Sequence, residues 1–131
     1  MKGIVKSYKA GGAVGQYRIV KFGADDKTIV QAAATGDGQI GICCQPGGST
    51  IGQRVDVTRT GIEDVEYGGN VTRGDLLTSD ANGKAVAVTR HTHVESGGTT
   101  AAASNVRVIG TAELSGAAGD IGQVLLAPGA A

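Results

Sequence analysis

The chain has 131 residues, with twelve basic and twelve acidic side chains, so its formal net charge at pH 7 is zero. This length suits one domain. The charge balance argues against nucleic acid as a partner, because phosphate binding relies on clustered Lys and Arg. The only basic bias is local, at Lys2, Lys6 and Lys9, and we interpret it as a solvated N-terminal segment.

The apolar residues are small. There is no Trp, one Phe and three Tyr, against 23 Gly. Val, Ile, Leu and Ala must therefore form the core, and glycine weakens it because it loses the most backbone entropy on folding. We expect such a chain to take additional stability from a partner surface. No segment is long and apolar enough to span a membrane, and the N-terminus lacks the apolar region of a signal peptide, so we expect synthesis in a cytoplasm.

Residues 1–15 are predicted to be an extended N-terminal arm, in which Gly11, Gly12 and Gly15 act as a hinge. Residues 16–131 are predicted to be a single β domain, because strand signals are frequent and helical periodicity is absent. The predicted strands are Gln16–Phe22, Lys27–Ala32, Gln39–Cys44, Arg54–Arg59, Ile62–Tyr67, Asp75–Thr78, Lys84–Val88, Val106–Leu114 and Ile121–Leu126.

Turn residues separate these strands, and Asn82-Gly83 predicts a type I′ hairpin turn. Many short strands with Gly and Asp turns between them indicate an all-β fold, a small antiparallel barrel or sandwich. Residues 90–105 are rich in Gly, Thr, Ala and Ser, and we predict one long exposed loop there.

The only two cysteines, Cys43 and Cys44, are adjacent. Neighbouring side chains on a strand point to opposite faces, and a disulfide between them would be strained. We therefore predict one cysteine in the core and the other in an interface or on the surface, with no redox or nucleophilic role.

The strongest chemical signal is His91-Thr92-His93 followed by Glu95, because two histidines and a carboxylate on one face of an extended segment are a plausible metal set. Cupin metalloenzymes use an HxH pair in this way. However, a cupin needs another His on a later strand, and this chain has only two. We predict an exposed polar loop there, and neither metal nor cofactor.

Other catalytic patterns are also weak. No GxSxG elbow is present, and Glu63, Asp64 and Glu66 are interpreted as a solvated sheet face. The chain is therefore predicted not to be an enzyme.

Three segments carry a family resemblance. They are RIVKFGADDKTIVQAAATGDGQIGICCQ (18–45), GGNVTRGDLLTSDANGKAVAVT (68–89) and NVRVIGTAELSGAAGDIGQVLLAPG (105–129). Together they resemble, in the correct order, bacteriophage head-decoration proteins, also called capsid cement proteins. The resemblance spans Tyr17 to Gly129, and the long segment 90–105 departs from it.

The resemblance implies a structural virion protein without catalysis, placed on the exterior of the icosahedral head and made in the host bacterial cytoplasm. The implied partner is the major capsid protein, bridged after head expansion by homotrimers at three-fold and quasi-three-fold positions, with no nucleic acid or membrane involved. Ile4, Val5 and Tyr8 of the arm would contact the capsid or a neighbouring protomer. The alternatives are a cupin-like metal-binding enzyme and a carbohydrate-binding or adhesion module, the latter disfavoured by the few aromatics.

Overall fold

The computed structural model describes residues 3–88 and 106–130, and in these residues the chain forms ten β-strands and no helix. The strands are β1 (Val5–Ala10), β2 (Arg18–Phe22), β3 (Thr28–Gln31), β4 (Gln39–Cys43), β5 (Arg54–Thr58), β6 (Gly61–Glu66), β7 (Leu76–Ser79), β8 (Ala85–Ala87), β9 (Arg107–Ala112) and β10 (Ile121–Ala130). The all-β prediction is confirmed, and β2 to β10 overlap the predicted strands. No helix in the described residues is long and apolar enough to cross a membrane.

The strands form two units. A closed five-stranded barrel has the order β1-β3-β2-β4-β5, and a second five-stranded sheet has the order β6-β10-β9-β7-β8. The named strand pairs are antiparallel except for β1 and β3, which are parallel. An isolated parallel bridge between Tyr67 and Ala85 connects the outer strands of the second sheet at one end. Closing or bridging the edges leaves few unpaired backbone groups for other chains to bind.

The two units share β2 and β4, which contribute side chains to two cores. Val20 and Cys43 lie inside the barrel. Ile19 and Ile42 lie on its outside, in the core formed with the second sheet. All five residues of β4 are buried, because the strand is covered on both faces. The barrel and the second sheet are therefore packed together through these strands.

Tyr67, which follows β6, is the largest fully buried side chain of the second core. Its ring lies against two glycines: a Cβ at Gly122 would collide with the ring, and one at Gly116 would lie 2.9 Å from it. The hydroxyl donates a hydrogen bond of 2.6 Å to the carbonyl oxygen of Leu114. Burial raises the pKa of Tyr67. The small residues thus make room for one large aromatic ring.

The predicted arm is wrong for most of its length, because β1 is a strand of the barrel. It pairs with β5 from Val5 to Lys9 and with β3 at its end. The hinge is also absent: the amide of Gly11 donates to the carbonyl of Ile29, and Val14 is buried and pairs with Ser49. Removing residues 1–12 would therefore take a strand out of the barrel instead of trimming an appendage.

The β7–β8 hairpin is confirmed, but its predicted turn type is wrong. A type I′ turn needs positive φ at both central residues, and in the described part of the chain Tyr17 is the only non-glycine with positive φ, while Gly83 has φ of 72°. Asp80 organises a longer loop instead. Its Oδ1 accepts hydrogen bonds from the amides of Asn82 and Lys84, at 2.8 and 2.9 Å.

Gly41 lies where β4 and β5 approach each other closely, so a substitution there tests this contact. A Cβ there would collide with the carbonyl oxygen of Thr58 and lie 2.7 Å from the Val57 side chain. We expect Gly41→Ala to lower the free energy of unfolding by about 2 kcal/mol, because a packed core cannot take the extra atom without moving backbone. Gly12→Ala is the matched control, since nothing lies within 4 Å of its added Cβ. Urea denaturation measures both, and equal stabilities would contradict the packing described.

Candidate contact surfaces

The metal prediction falls on residues that are not described. The residues concerned, His91, His93 and Glu95, and the whole predicted loop 90–105 lie outside the described residues. In residues 3–88 and 106–130, no group of three or more His, Cys, Asp or Glu is arranged to hold a metal ion.

The acidic cluster of β6 joins parts of the fold. Glu63 is only 5% exposed, and its Oε2 accepts a hydrogen bond of 2.7 Å from the hydroxyl of Thr58. Glu66 forms ion pairs with Arg18 at 3.4 Å and Lys84 at 3.1 Å. The prediction of a solvated sheet face is therefore wrong for Glu63. These carboxylates connect β6 to β5, β2 and the β7–β8 loop.

Exposed apolar patches mark sites of contact between proteins, and the described surface has several exposed apolar side chains. The exposed large apolar side chains are Ile4, Val5, Phe22, Ile51, Leu76, Leu114, Ile121 and Leu125. Some of them form two surfaces, one at an open end of the barrel and one on the second sheet.

The first surface is the end of the barrel where β1 and β4 begin and β2 and β5 end, which we call the barrel mouth. Lys6, Tyr8, Phe22 and Arg59 form a connected group there, which we call the mouth cluster. The Nζ of Lys6 lies 5.3 Å from the centre of the Tyr8 ring, and the Cζ of Arg59 lies 5.8 Å from that of Phe22. The two rings meet edge to face, with centres 5.9 Å apart. Arg59 Nη1 donates a hydrogen bond of 2.6 Å to the Tyr8 hydroxyl, which completes the cycle.

The mouth cluster is electrostatically unbalanced. Within the described part of the chain, neither Lys6 nor Arg59 forms an ion pair with a carboxylate. Each cation lies instead over an aromatic ring, an interaction of about 0.5–1 kcal/mol at an exposed site. Two positive charges are thus held in place at the barrel mouth.

The predicted contact residues have different positions in the structure. Ile4 and Val5 are 63% and 46% exposed, and the carbonyl of Ile4 accepts a hydrogen bond of 2.7 Å from the amide of Arg59, which places Ile4 at the barrel mouth. Tyr8 is only 4% exposed. The expectation that Tyr8 anchors a mobile arm is therefore wrong, because its ring belongs to the barrel core. The sequence analysis did not identify Phe22 and Arg59 as candidate contact residues.

The second surface is a row of side chains on the face of the second sheet that points away from its core, which we call the sheet row. It consists of Ile62, Leu125, Thr111, Leu76 and Val88. Leu125 pairs with both Ile62 and Thr111, Thr111 pairs with Leu76, and the amide of Val88 donates to the carbonyl of Leu76. Paired residues on adjacent antiparallel strands share a face, and Leu76 and Leu125 are 39% and 44% exposed. The row crosses β6, β10, β9 and β7 and ends at the residue after β8, and it contains no charged side chain.

A cavity of about 210 Å³ opens beside the barrel. Its lining residues are Val5, Cys44, Gln45, Pro46, Asp56 and Thr58. The two cysteines point to opposite sides of β4, as predicted: Cys43 is buried in the barrel, whereas Cys44 is half-buried and its Sγ lies 3.5 Å from the carbonyl oxygen of Asp64.

This arrangement predicts unequal thiol reactivity. Alkylation requires access and the thiolate form. Cys43 has neither, because it is fully buried and burial raises the pKa of its thiol. With iodoacetamide we expect one modification per native chain, at Cys44, and a second only after unfolding. Peptide mass spectrometry locates the label, and Cys44→Ser should remove the native modification. Rapid labelling of Cys43 in the folded protein would contradict the barrel packing.

A closed barrel packed on a second five-stranded sheet defines a small all-β module, and its described residues include two surfaces with exposed apolar side chains. A solved structure with this fold is the head fiber gp8.5 N base of bacteriophage phi29. The likeness has a TM-score of 0.66 and 18% sequence identity, and covers 98% of this chain and 97% of that chain. At this identity it establishes a common fold. No family model and no curated protein matches the chain.

Proposed function

We propose that the chain is a structural protein of a bacteriophage virion. It binds the outer surface of the icosahedral head and stabilises the expanded capsid by bridging subunits of the major capsid protein. The observation that carries the proposal is the likeness to a head fiber base over almost the whole of both chains. The resemblance of three sequence segments to head-decoration proteins supports it independently. In this proposal the protein is not an enzyme and needs no cofactor.

The physical basis of stabilisation is mass action. A protein that binds the expanded shell more tightly than its precursor or its dissociated subunits shifts the equilibrium toward the expanded shell. Many copies, each contacting more than one subunit, add avidity without strong individual contacts. A closed barrel is suited to this role, because it can be crowded on a shell while offering few strand edges for aggregation.

We further propose that three copies form a homotrimer at three-fold and quasi-three-fold positions of the shell. The sheet row fits a contact between protomers, because obligate interfaces are more apolar than other surfaces and their centres are depleted of charge. The barrel mouth carries two cations and fits a self-contact less well, since copies meeting there would bring like charges together.

The capsid proposal is tested by co-sedimentation with heads of the same phage that lack the protein, before and after expansion. We expect saturable binding to expanded heads and little to unexpanded ones. Expanded heads carrying the protein should also disrupt at a higher temperature than bare heads, because binding stabilises the bound state. Protein that stays in the supernatant with both kinds of head would contradict the proposal.

The trimer proposal is tested by substituting one residue of the sheet row. Leu125→Glu places a charge at the centre of the proposed interface, so we expect light scattering to report a trimer for the wild type and a monomer for the variant. Ile51→Glu is the control, because Ile51 is 75% exposed and lies outside the row. A Leu125→Glu variant that remains trimeric would exclude the row as the protomer contact.

The alternatives have less support. The cupin-like enzyme depends on His91, His93 and Glu95, and nothing among the described residues favours it. A carbohydrate-binding or adhesion module would use exposed aromatic rings, and the exposed ring of Phe22 already lies against Arg59.

A further inference from the structure

We propose that the barrel mouth is the face that meets the partner, and that Lys6 and Arg59 bind a carboxylate-rich protein segment there. The inference rests on the proposed function, in which that segment belongs to the major capsid protein. It names the chemistry of the contact: carboxylates for the two cations, with apolar side chains beside them.

The first support is the position of the two mouth cations, which lie close together over aromatic rings. Arg18, Lys21, Arg54 and Lys84 each lie within 4.0 Å of a carboxylate of their own chain, at 3.4, 3.1, 3.7 and 3.1 Å. The other six described cations have no such carboxylate in residues 3–88 and 106–130, and two of these, Lys6 and Arg59, lie over the neighbouring rings of Tyr8 and Phe22. The chain as a whole is neutral. The two adjacent cations of the mouth cluster are therefore complementary to carboxylates on a partner.

The second support is the way Arg59 is held. Its guanidinium stacks near the Phe22 ring, and Nη1 donates to Tyr8, the one hydrogen bond that this side chain makes to described residues. A guanidinium has five N–H donors in a planar fork that matches a carboxylate. Because two aromatic residues already fix its position, binding a carboxylate costs less side-chain entropy than it would at a free arginine.

The third support distinguishes a protein segment from a phosphate. Ile4 and Phe22 are 63% and 46% exposed at the mouth, beside the two cations. An inorganic anion or a nucleic-acid backbone would neutralise the charges and leave these apolar groups in water. A protein segment with carboxylates next to apolar side chains covers both, and burying apolar surface adds to the affinity.

The main test compares two double variants for binding to expanded heads. Lys6→Glu with Arg59→Glu reverses both charges at the mouth. Arg73→Glu with Arg107→Glu makes the same change in net charge at exposed positions of the second half of the chain. We expect the mouth variant to lose affinity by on the order of a hundred-fold, because charges that faced carboxylates would now repel them, and the control variant to bind like the wild type.

A milder pair of variants guards against misfolding. Lys6→Gln keeps the approximate size of the side chain, and Arg59→Lys keeps its charge. Thermal unfolding followed by circular dichroism checks that each variant is folded. We expect Arg59→Lys to weaken binding although the charge is retained, because lysine lacks the fork and the stacking plane. Full affinity in both folded variants would overturn the inference.

A second experiment uses no capsid, so that the two proposals can fail separately. The isotope-labelled protein is titrated with a synthetic peptide of alternating Glu and Leu, and in parallel with tripolyphosphate, while amide chemical shifts are recorded. We expect the peptide to shift Lys6, Tyr8, Phe22 and Arg59, and tripolyphosphate to shift them less.

Peptide binding at the mouth without binding to heads would contradict the proposed function and leave the carboxylate site in place. Head binding that is equal for the wild type and the charge-reversed mouth variant would overturn the site and leave the function. Stronger shifts with tripolyphosphate than with the peptide would show that the occupant is a phosphate and overturn the proposed partner chemistry.

Discussion

The sharing of β2 and β4 between two cores is the constraint on which the rest of the structure depends. Along each strand, some side chains fill the barrel and others pack against the second sheet. Because β4 is buried at every position, its residues are small or medium-sized apolar ones except Gln39, whose side-chain amide donates a hydrogen bond to the Thr78 hydroxyl. A substitution that disrupts the packing of one core therefore also destabilises the other. Through this coupling the two units pack as one body although the chain is rich in glycine and has few aromatic residues.

This sharing also determines where contact with other molecules can occur. With the inner faces of both units occupied, the described residues offer apolar surface at the end of the barrel and on the outer face of the second sheet. Their chemistry differs: the mouth cluster combines rings with two cations, whereas the sheet row has no charge. A charged surface suits a partner of opposite charge, and an uncharged apolar surface suits a copy of the same chain. In the proposed function, the sheet row would serve the contact between copies and the barrel mouth the contact with the shell.

Sequence alone predicted most of the strands, because period-two alternation and Gly or Asp turns are local signals. It missed β1, since exposed Val5 and solvated Lys6 invert the alternation expected of a half-buried strand. It also missed the mouth cluster, because Tyr8 and Arg59 are 51 positions apart and meet only when the barrel closes. The sheet row could not be predicted from the sequence either. Leu76 and Leu125 are each followed by another leucine, so the pattern does not show which of the two points outward.

The central claim is that this chain attaches to the outside of a phage head, and the most direct measurement is an electron cryomicroscopy map of expanded heads saturated with the protein. The account predicts density on the outer surface at three-fold and quasi-three-fold positions, into which the barrel fits with its mouth against the shell and three second sheets in mutual contact. A saturated sample without added density would contradict attachment. Density in which the barrel mouth faces solvent would contradict the assignment of the contact surface.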